Sequence, residues 1–179
     1  KHFKSWEGGK LVMAITGIPF KCPVAPIEFV CLADWFFTEL GIRDKVEITL
    51  VTPLPGAFTK PIATKMLSEL LTEKNINVIP EFYIQKVDNE TQELVSYDEQ
   101  RIPFDVLTIV PTNMGSEVIE RSGLGDDLNF VYTNKETLQS DQFNNIFVLG
   151  DASNIPTSKA GSVAHFSAEI LLENIQSFI

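Results

Sequence analysis

Residues 10–51 read KLVMAITGIPFKCPVAPIEFVCLADWFFTELGIRDKVEITLV, and this stretch decides the fold. It opens on a short apolar run, Lys10–Thr16, of the kind that forms a buried strand. A loop, Gly17–Pro23, follows, and then a helical stretch from about Pro26 to Leu40. Proline is tolerated in a helix's first turn, where its missing N–H has no intrahelical acceptor to lose. Gly41 supplies the residue past the helix end that turns left-handed most cheaply. Val46–Val51 is a second apolar strand. Strands without polar alternation, joined through a helix, make a βαβ unit of a parallel sheet buried on both faces.

Outward from this unit the pattern stays α/β. Pro61–Lys74 predicts a helix with Ile62, Met66, Leu67, Leu70 and Leu71 on one face, and Asn77–Ile79 a short strand. Phe82–Val87, Leu94–Tyr97 and Arg101–Phe104, separated by polar turns, predict a three-stranded antiparallel meander. Val106–Val110 is one more buried strand. Residues 111–145 are rich in loop residues, Asn145–Leu149 reads as a strand, and Thr157 onward as a last helix. The expected organisation is a polar lead-in linker over 1–9, a degenerate NAD(P)-binding-like Rossmann domain over 10–112, and a separate segment over 113–179.

Composition excludes several classes. A formal net charge of −10 leaves no basic surface for a phosphate backbone, so nucleic acid is not an expected partner. No apolar run approaches the roughly 20 residues of a membrane-spanning helix, and no signal-peptide pattern opens the chain. The start at Lys1 suggests a fragment. Two cysteines do not make a disulfide scaffold, and no cluster of His, Cys, Asp or Glu has metal-ligand spacing. These features describe an ordinary globular unit of cytoplasmic character.

The first loop is the place to look for a dinucleotide. Its fingerprint needs three closely spaced glycines, which let backbone amides approach the pyrophosphate, and a carboxylate after the second strand for the ribose. Here a single glycine, Gly17, is followed by Pro19, Phe20 and Pro23, and the second strand ends Val51-Thr52-Pro53. The topology is Rossmann-like, but the groups that bind a nicotinamide dinucleotide are missing. The loop instead carries Lys21-Cys22-Pro23. A cysteine beside a lysine and just ahead of a helix N-terminus feels two influences that favour thiolate, though a structural thiol is the commoner case. Cys31 lies on the apolar stretch of the same helix and reads as core. With about 1.5 Å of rise per helical residue, Cys22 and Cys31 stand too far apart to pair.

A second motif closes the chain. Asn145–Leu149 runs into Gly150-Asp151, which sets a carboxylate at a strand's C-terminal end, where open α/β sheets bind ligands. Thr157 or Ser158 is an apt N-cap, and the small residues Ala160, Gly161 and Ser162 would let a flat group approach the helix start.

Together, Phe20-Lys21-Cys22-Pro23-Val24-Ala25-Pro26-Ile27-Glu28 and the run Gly150-Asp151-Ala152-Ser153-Asn154-Ile155-Pro156-Thr157-Ser158-Lys159 resemble the flavoprotein disulfide reductase superfamily, and within it the sulfide:quinone oxidoreductase family. The element order between the two segments agrees over nearly the whole chain. The resemblance implies that residues 113–179 are the returning segment of an FAD-binding domain. It implies that Gly150 and Asp151 approach FAD, with Asp151 bonding the ribityl chain. The helix start at Thr157, Ser158, Lys159, Ala160 and Gly161 would face the flavin's pyrimidine edge, with Lys159 stabilising negative charge there. Cys22 matches one of two redox cysteines that carry sulfur to the flavin; the second lies, in the family, beyond the stretch that this chain matches.

By the same resemblance the parent takes sulfide and a quinone as substrates and attaches peripherally to a membrane. A homo-oligomer stays open. The family's first glycine motif and its C-terminal membrane segment have no counterpart here, so the chain alone is expected to hold FAD weakly or not at all and to be inactive. The residues themselves leave two other readings open: an NADH-dependent flavin oxidoreductase of the same superfamily, and a non-catalytic Rossmann-like binding module. His165 reads more readily as a packed imidazole than as a proton carrier, Glu28 as a helix-start carboxylate, and Trp35, Phe36 and Phe37 as helix packing. Whether Asn113 contacts a cofactor is undecided.

Overall fold

The computed structural model of the chain describes residues 2–179, which divide into two compact units meeting in sequence at Thr112 and Asn113. The first unit contains β1 (Gly9–Ile15), α1 (Ala25–Glu39), β2 (Val46–Val51), α2 (Pro61–Glu73), β3 (Ile76–Ile79), β4 (Ile84–Asp88), β5 (Glu93–Ser96), β6 (Arg101–Pro103) and β7 (Val106–Val110). The strands β3-β2-β1-β7 form one parallel sheet and β4-β5-β6 a separate antiparallel one. This is the α/β architecture with an inserted meander that the sequence predicts. Strand order moves outward from β1 to β2 and β3 on one side and returns to β7 on the other, so the switch point lies between β1 and β7. In open α/β sheets that is where ligands dock, at the C-terminal strand ends.

The core forms on both faces of the parallel sheet because its strands alternate apolar residues to each side. Leu11, Met13, Ile48 and Leu50 meet Ile27, Val30 and Phe37 of α1 and Leu71 of α2. Val12, Ala14 and Val51 meet Phe82, Leu94 and Ile102 of the meander. The ends of α1 follow their residues: Pro26 sits in the first turn, and Gly41 closes the helix at φ +70. Its amide reaches the Thr38 carbonyl while the Ile42 amide reaches Phe37, which satisfies two carbonyls the helix end would orphan.

Two helices are tied by charge. Asp34 of α1 accepts from Arg43 Nε at 2.6 Å and from Lys74 Nζ at 2.9 Å. Arg43 also donates to the carbonyls of Val46, Lys74 and Asn75, so one guanidinium closes the C-terminal end of α2. Burial pushes the Asp34 carboxyl up, but the hydrogen bonds from Arg43 and Lys74 outweigh it and hold the group below the usual carboxylate range.

Three expectations change in this unit. The lead-in is not a free linker: His2–Ser5 form a 3-10 turn, and Phe3 and Trp6 pack on Phe37 with ring centroids 5.5 and 5.4 Å away. Of the apolar residues on α2 only Leu71 is fully buried, while Ile62 and Met66 are 81% and 66% exposed. On α1, Phe37 is buried but Trp35 is 58% exposed, so Trp35 is not part of the helix packing.

The second unit contains α3 (Glu117–Ser122) and α4 (Gly161–Phe178). The short helix α3 went unread in the sequence; the Ser116 side chain caps it and Gly123 ends it in the left-handed region. Asn145–Leu149 is not a strand. It makes an isolated bridge, Gln139 with Phe147, plus single bonds such as Val148 N–H to the Leu138 carbonyl. A strand needs a neighbouring ladder, and among the described residues of this unit none is supplied.

Candidate functional site

Cys22 stands on the β1–α1 loop, two residues before the Val24 N-cap of α1, with a left-handed backbone at φ +56. A non-glycine residue there carries a steric cost of about 1–2 kcal/mol, which the surrounding turn must offset. The turn is held by the Ala25 amide, which donates to the Cys22 carbonyl at 3.0 Å. Both cysteines are free thiols. Cys31 packs partly buried against the core, and burial pushes its thiol up, with Asp34 adding to the rise and Lys74 opposing it.

The switch point is filled by protein. Phe20, only 8% exposed, packs with Ile15 and Leu54, and Val110 lies against this cluster. Thr16 seals the neighbouring strand end, its amide and hydroxyl both donating to the Val110 carbonyl at 3.0 and 3.1 Å. Thr52, where a ribose-binding carboxylate would stand, is wholly buried, and its hydroxyl accepts from the Leu54 amide. In the sequence Phe20 stands as an interruption of the glycine loop and as the first residue of the cysteine motif, not as a packing residue. Its role as a plug depends on packing that no local pattern announces.

In the second unit, Gly150-Asp151-Ala152 forms a 3-10 turn that opens at Gly150 with φ +63, a conformation glycine adopts without penalty. A side chain at Gly150 would also press on Ala164 of α4 at 3.0 Å. The turn is pinned from behind: Val131 N–H donates to the Ala152 carbonyl at 2.8 Å, and the Asn154 side chain accepts from the Thr133 amide at 3.0 Å. Asn154 lies inside the motif quoted from the sequence but was not singled out as a site residue.

Lys159 is 7% exposed. Its ammonium donates to the carbonyls of Ser153 at 2.5 Å and Ile155 at 3.2 Å and sits 4.9 Å from the centre of the Phe130 ring. Burial lowers its pKa, and Asp151 and Asp126 oppose that shift by charge. Its reach back along the chain, with the turns at Ile155–Thr157 and Ser158–Ala160, delays the last helix. That helix begins at Gly161 with Ala160 as N-cap, so neither Thr157 nor Ser158 caps it, and no side chain does. Thr157 and Ser158 are exposed on the loop. A Cβ built on Gly161 would meet nothing within 4 Å. The uncapped, acid-free helix start with open space at Gly161 fits a flat group that takes on negative charge, which the FAD expectation requires.

No family model matches the chain. The mitochondrial sulfide:quinone oxidoreductase of Mus musculus is 28% identical over 177 residues, which cover 96% of this chain and 39% of that protein. That of Dictyostelium discoideum is 29% identical over 179 residues, covering 98% and 39%. The chain is a homologue of sulfide:quinone oxidoreductases. The structure of the sulfide:quinone oxidoreductase from the hyperthermophilic bacterium Aquifex aeolicus superposes with a TM-score of 0.75 at 18% identity, over 94% of this chain and 44% of that one, which shows the shared fold. The chain spans about two fifths of the length of the curated sulfide:quinone oxidoreductases it matches. Among the described residues no helix is long and apolar enough to cross a membrane.

Proposed function

We propose that the protein carrying this chain is an FAD enzyme that oxidises sulfide and delivers the electrons to a quinone. The observation that carries the reading is similarity to sulfide:quinone oxidoreductases along nearly the whole chain, combined with a switch point occupied by Phe20 rather than open to a nicotinamide. The same plug, with Pro19 and Pro23 lacking N–H groups, disfavours the NADH-dependent alternative.

In this reading Cys22 is the sulfur-handling nucleophile. Its loop holds it in a strained backbone state at the entrance of α1. Asp151 accepts a hydroxyl of the FAD ribityl chain, and Gly150, Ala160 and Gly161 give close backbone approach. Bound FAD supplies a two-electron acceptor. The first-turn amides of α4 stabilise charge beside it, and Thr157 and Ser158 present hydroxyls from the loop. Lys159 contributes its positive charge and holds the loop by its two carbonyl bonds. A quinone acceptor is lipid-soluble, so the parent works at a membrane face, attached peripherally; the matched relatives are mitochondrial proteins. Residues up to Thr112 then serve as the degenerate nucleotide-domain counterpart and those from Asn113 as the returning part of the FAD domain.

The test is Cys22→Ser in the full-length protein. Sulfide-dependent flavin reduction should be lost while bound flavin is retained; reduction at the wild-type rate refutes the assignment.

A further inference from the structure

Just past the Gly150 turn, the chain lies briefly beside another segment of its own unit. Ser153 bridges Val131 in the parallel sense: Val131 N–H donates to the Ala152 carbonyl at 2.8 Å, and Asn154 N–H to the Val131 carbonyl at 3.0 Å. In a parallel ladder the next rung would run from the Thr133 amide to the Asn154 backbone carbonyl. The rung after that would run from the amide of residue 156 to the Thr133 carbonyl. Instead the Asn154 side-chain oxygen takes the Thr133 amide at 3.0 Å, and residue 156 is a proline with no N–H to give. A backbone N–H can only donate, so the oxygen of the Asn154 amide, not its nitrogen, must face Thr133. The pairing ends there, and the chain turns away to the exposed Thr157 and Ser158.

We propose that Asn154 is a positioning residue for flavin binding. Its side-chain oxygen ends the pairing with Val131–Thr133 and so sets the start of α4 relative to the Asp151 turn. The inference rests on the FAD reading above, in which Asp151 holds the ribityl chain and Thr157–Gly161 meet the pyrimidine edge. Asn154 lies between those two contacts in sequence and acts through both without touching the cofactor. Lys159 completes the arrangement by bonding the Ser153 and Ile155 carbonyls. The Asn154 bond fixes where the loop leaves, and Lys159 fixes where it returns.

The test measures FAD affinity of the full-length protein, titrating apoprotein with FAD and following flavin fluorescence. Asn154→Ala removes the acceptor and should weaken binding about tenfold, as the loss of one net hydrogen bond implies. Asn154→Asp presents the same oxygen to Thr133 and should recover most of the affinity. Hydrogen exchange at the Thr133 amide should quicken in the alanine variant and stay slow in the aspartate one. Asn134→Ala is the control, because the Asn134 oxygen accepts from the Glu136 and Thr137 amides at 2.9 and 3.1 Å, in a separate turn of the same unit. It should lower thermal stability and leave FAD affinity unchanged. The proposal is overturned if Asn154→Ala binds FAD, or protects Thr133, as the wild type does. It is equally overturned if Asn154→Asp fails as fully as alanine, or if Asn134→Ala weakens FAD as much. Affinity is read without sulfide, so flavin that is tightly held but not reduced by sulfide refutes the sulfide reading alone. A wild type that takes up no FAD refutes the FAD reading and this inference with it.

Discussion

The Lys159 ammonium and the Ser153 carbonyl lie 2.5 Å apart, closing the loop that joins the Gly150 turn to the start of α4. A buried cation spent on two backbone carbonyls and an aromatic face is a structural fastener as well as a charge. Lys159→Met keeps the stem and removes the fastener. It should cost about 2–3 kcal/mol in the stability of the second unit and weaken FAD retention in the full-length protein. Thermal unfolding and flavin release on dilution check both; unchanged values would show that the loop holds itself.

Phe20→Ala empties the plug between Ile15 and Leu54. The cavity should destabilise the first unit by about 3 kcal/mol. It should not create NADH-dependent flavin reduction, because Pro19, Pro23 and the missing carboxylate after β2 remain. Denaturant unfolding and an NADH titration of the variant test the two halves separately.

The α/β order, the parallel sheet and the meander were legible because they follow from local periodicity and turn residues. β2 and β7 match the expected runs at Val46–Val51 and Val106–Val110. Asn145–Leu149 misled because an apolar run predicts burial, whereas a strand also needs a partner ladder. Thr157 and Ser158 misled because a cap depends on where the helix starts, and the loop that Lys159 fastens to the Ser153 and Ile155 carbonyls runs on to a start at Gly161. The candidate residues themselves were readable as motifs. The inward turn of Lys159 and the plugging role of Phe20 were not, since both are tertiary contacts.

Asp34 gives the first unit an acid-sensitive clamp. Its folded pKa lies below its unfolded value of about 3.9, so its contribution is fully present above that value and is lost as pH falls through the folded one. Stability should therefore drop on acidification below about pH 4. Asp34→Asn should flatten that part of the curve and, by removing the negative charge that Arg43 and Lys74 share, cost about 3 kcal/mol at neutral pH. Urea unfolding as a function of pH measures both; identical acid slopes would reject the clamp.

The two thiols should separate by reactivity. Burial keeps Cys31 protonated, while Cys22 stands on a loop ahead of α1. Alkylation of the reduced protein at neutral pH should label Cys22 at least about tenfold faster. Peptide mass analysis over time reads the ratio, and equal rates would remove the chemical distinction between them.

The most direct test of the account is an anaerobic titration of the full-length protein, following flavin absorbance as sulfide is added, with NADH in a separate cuvette. The account predicts bleaching by sulfide and none by NADH. Bleaching by NADH alone would contradict it, opening the switch point that Phe20 fills and returning Cys22 to a structural role.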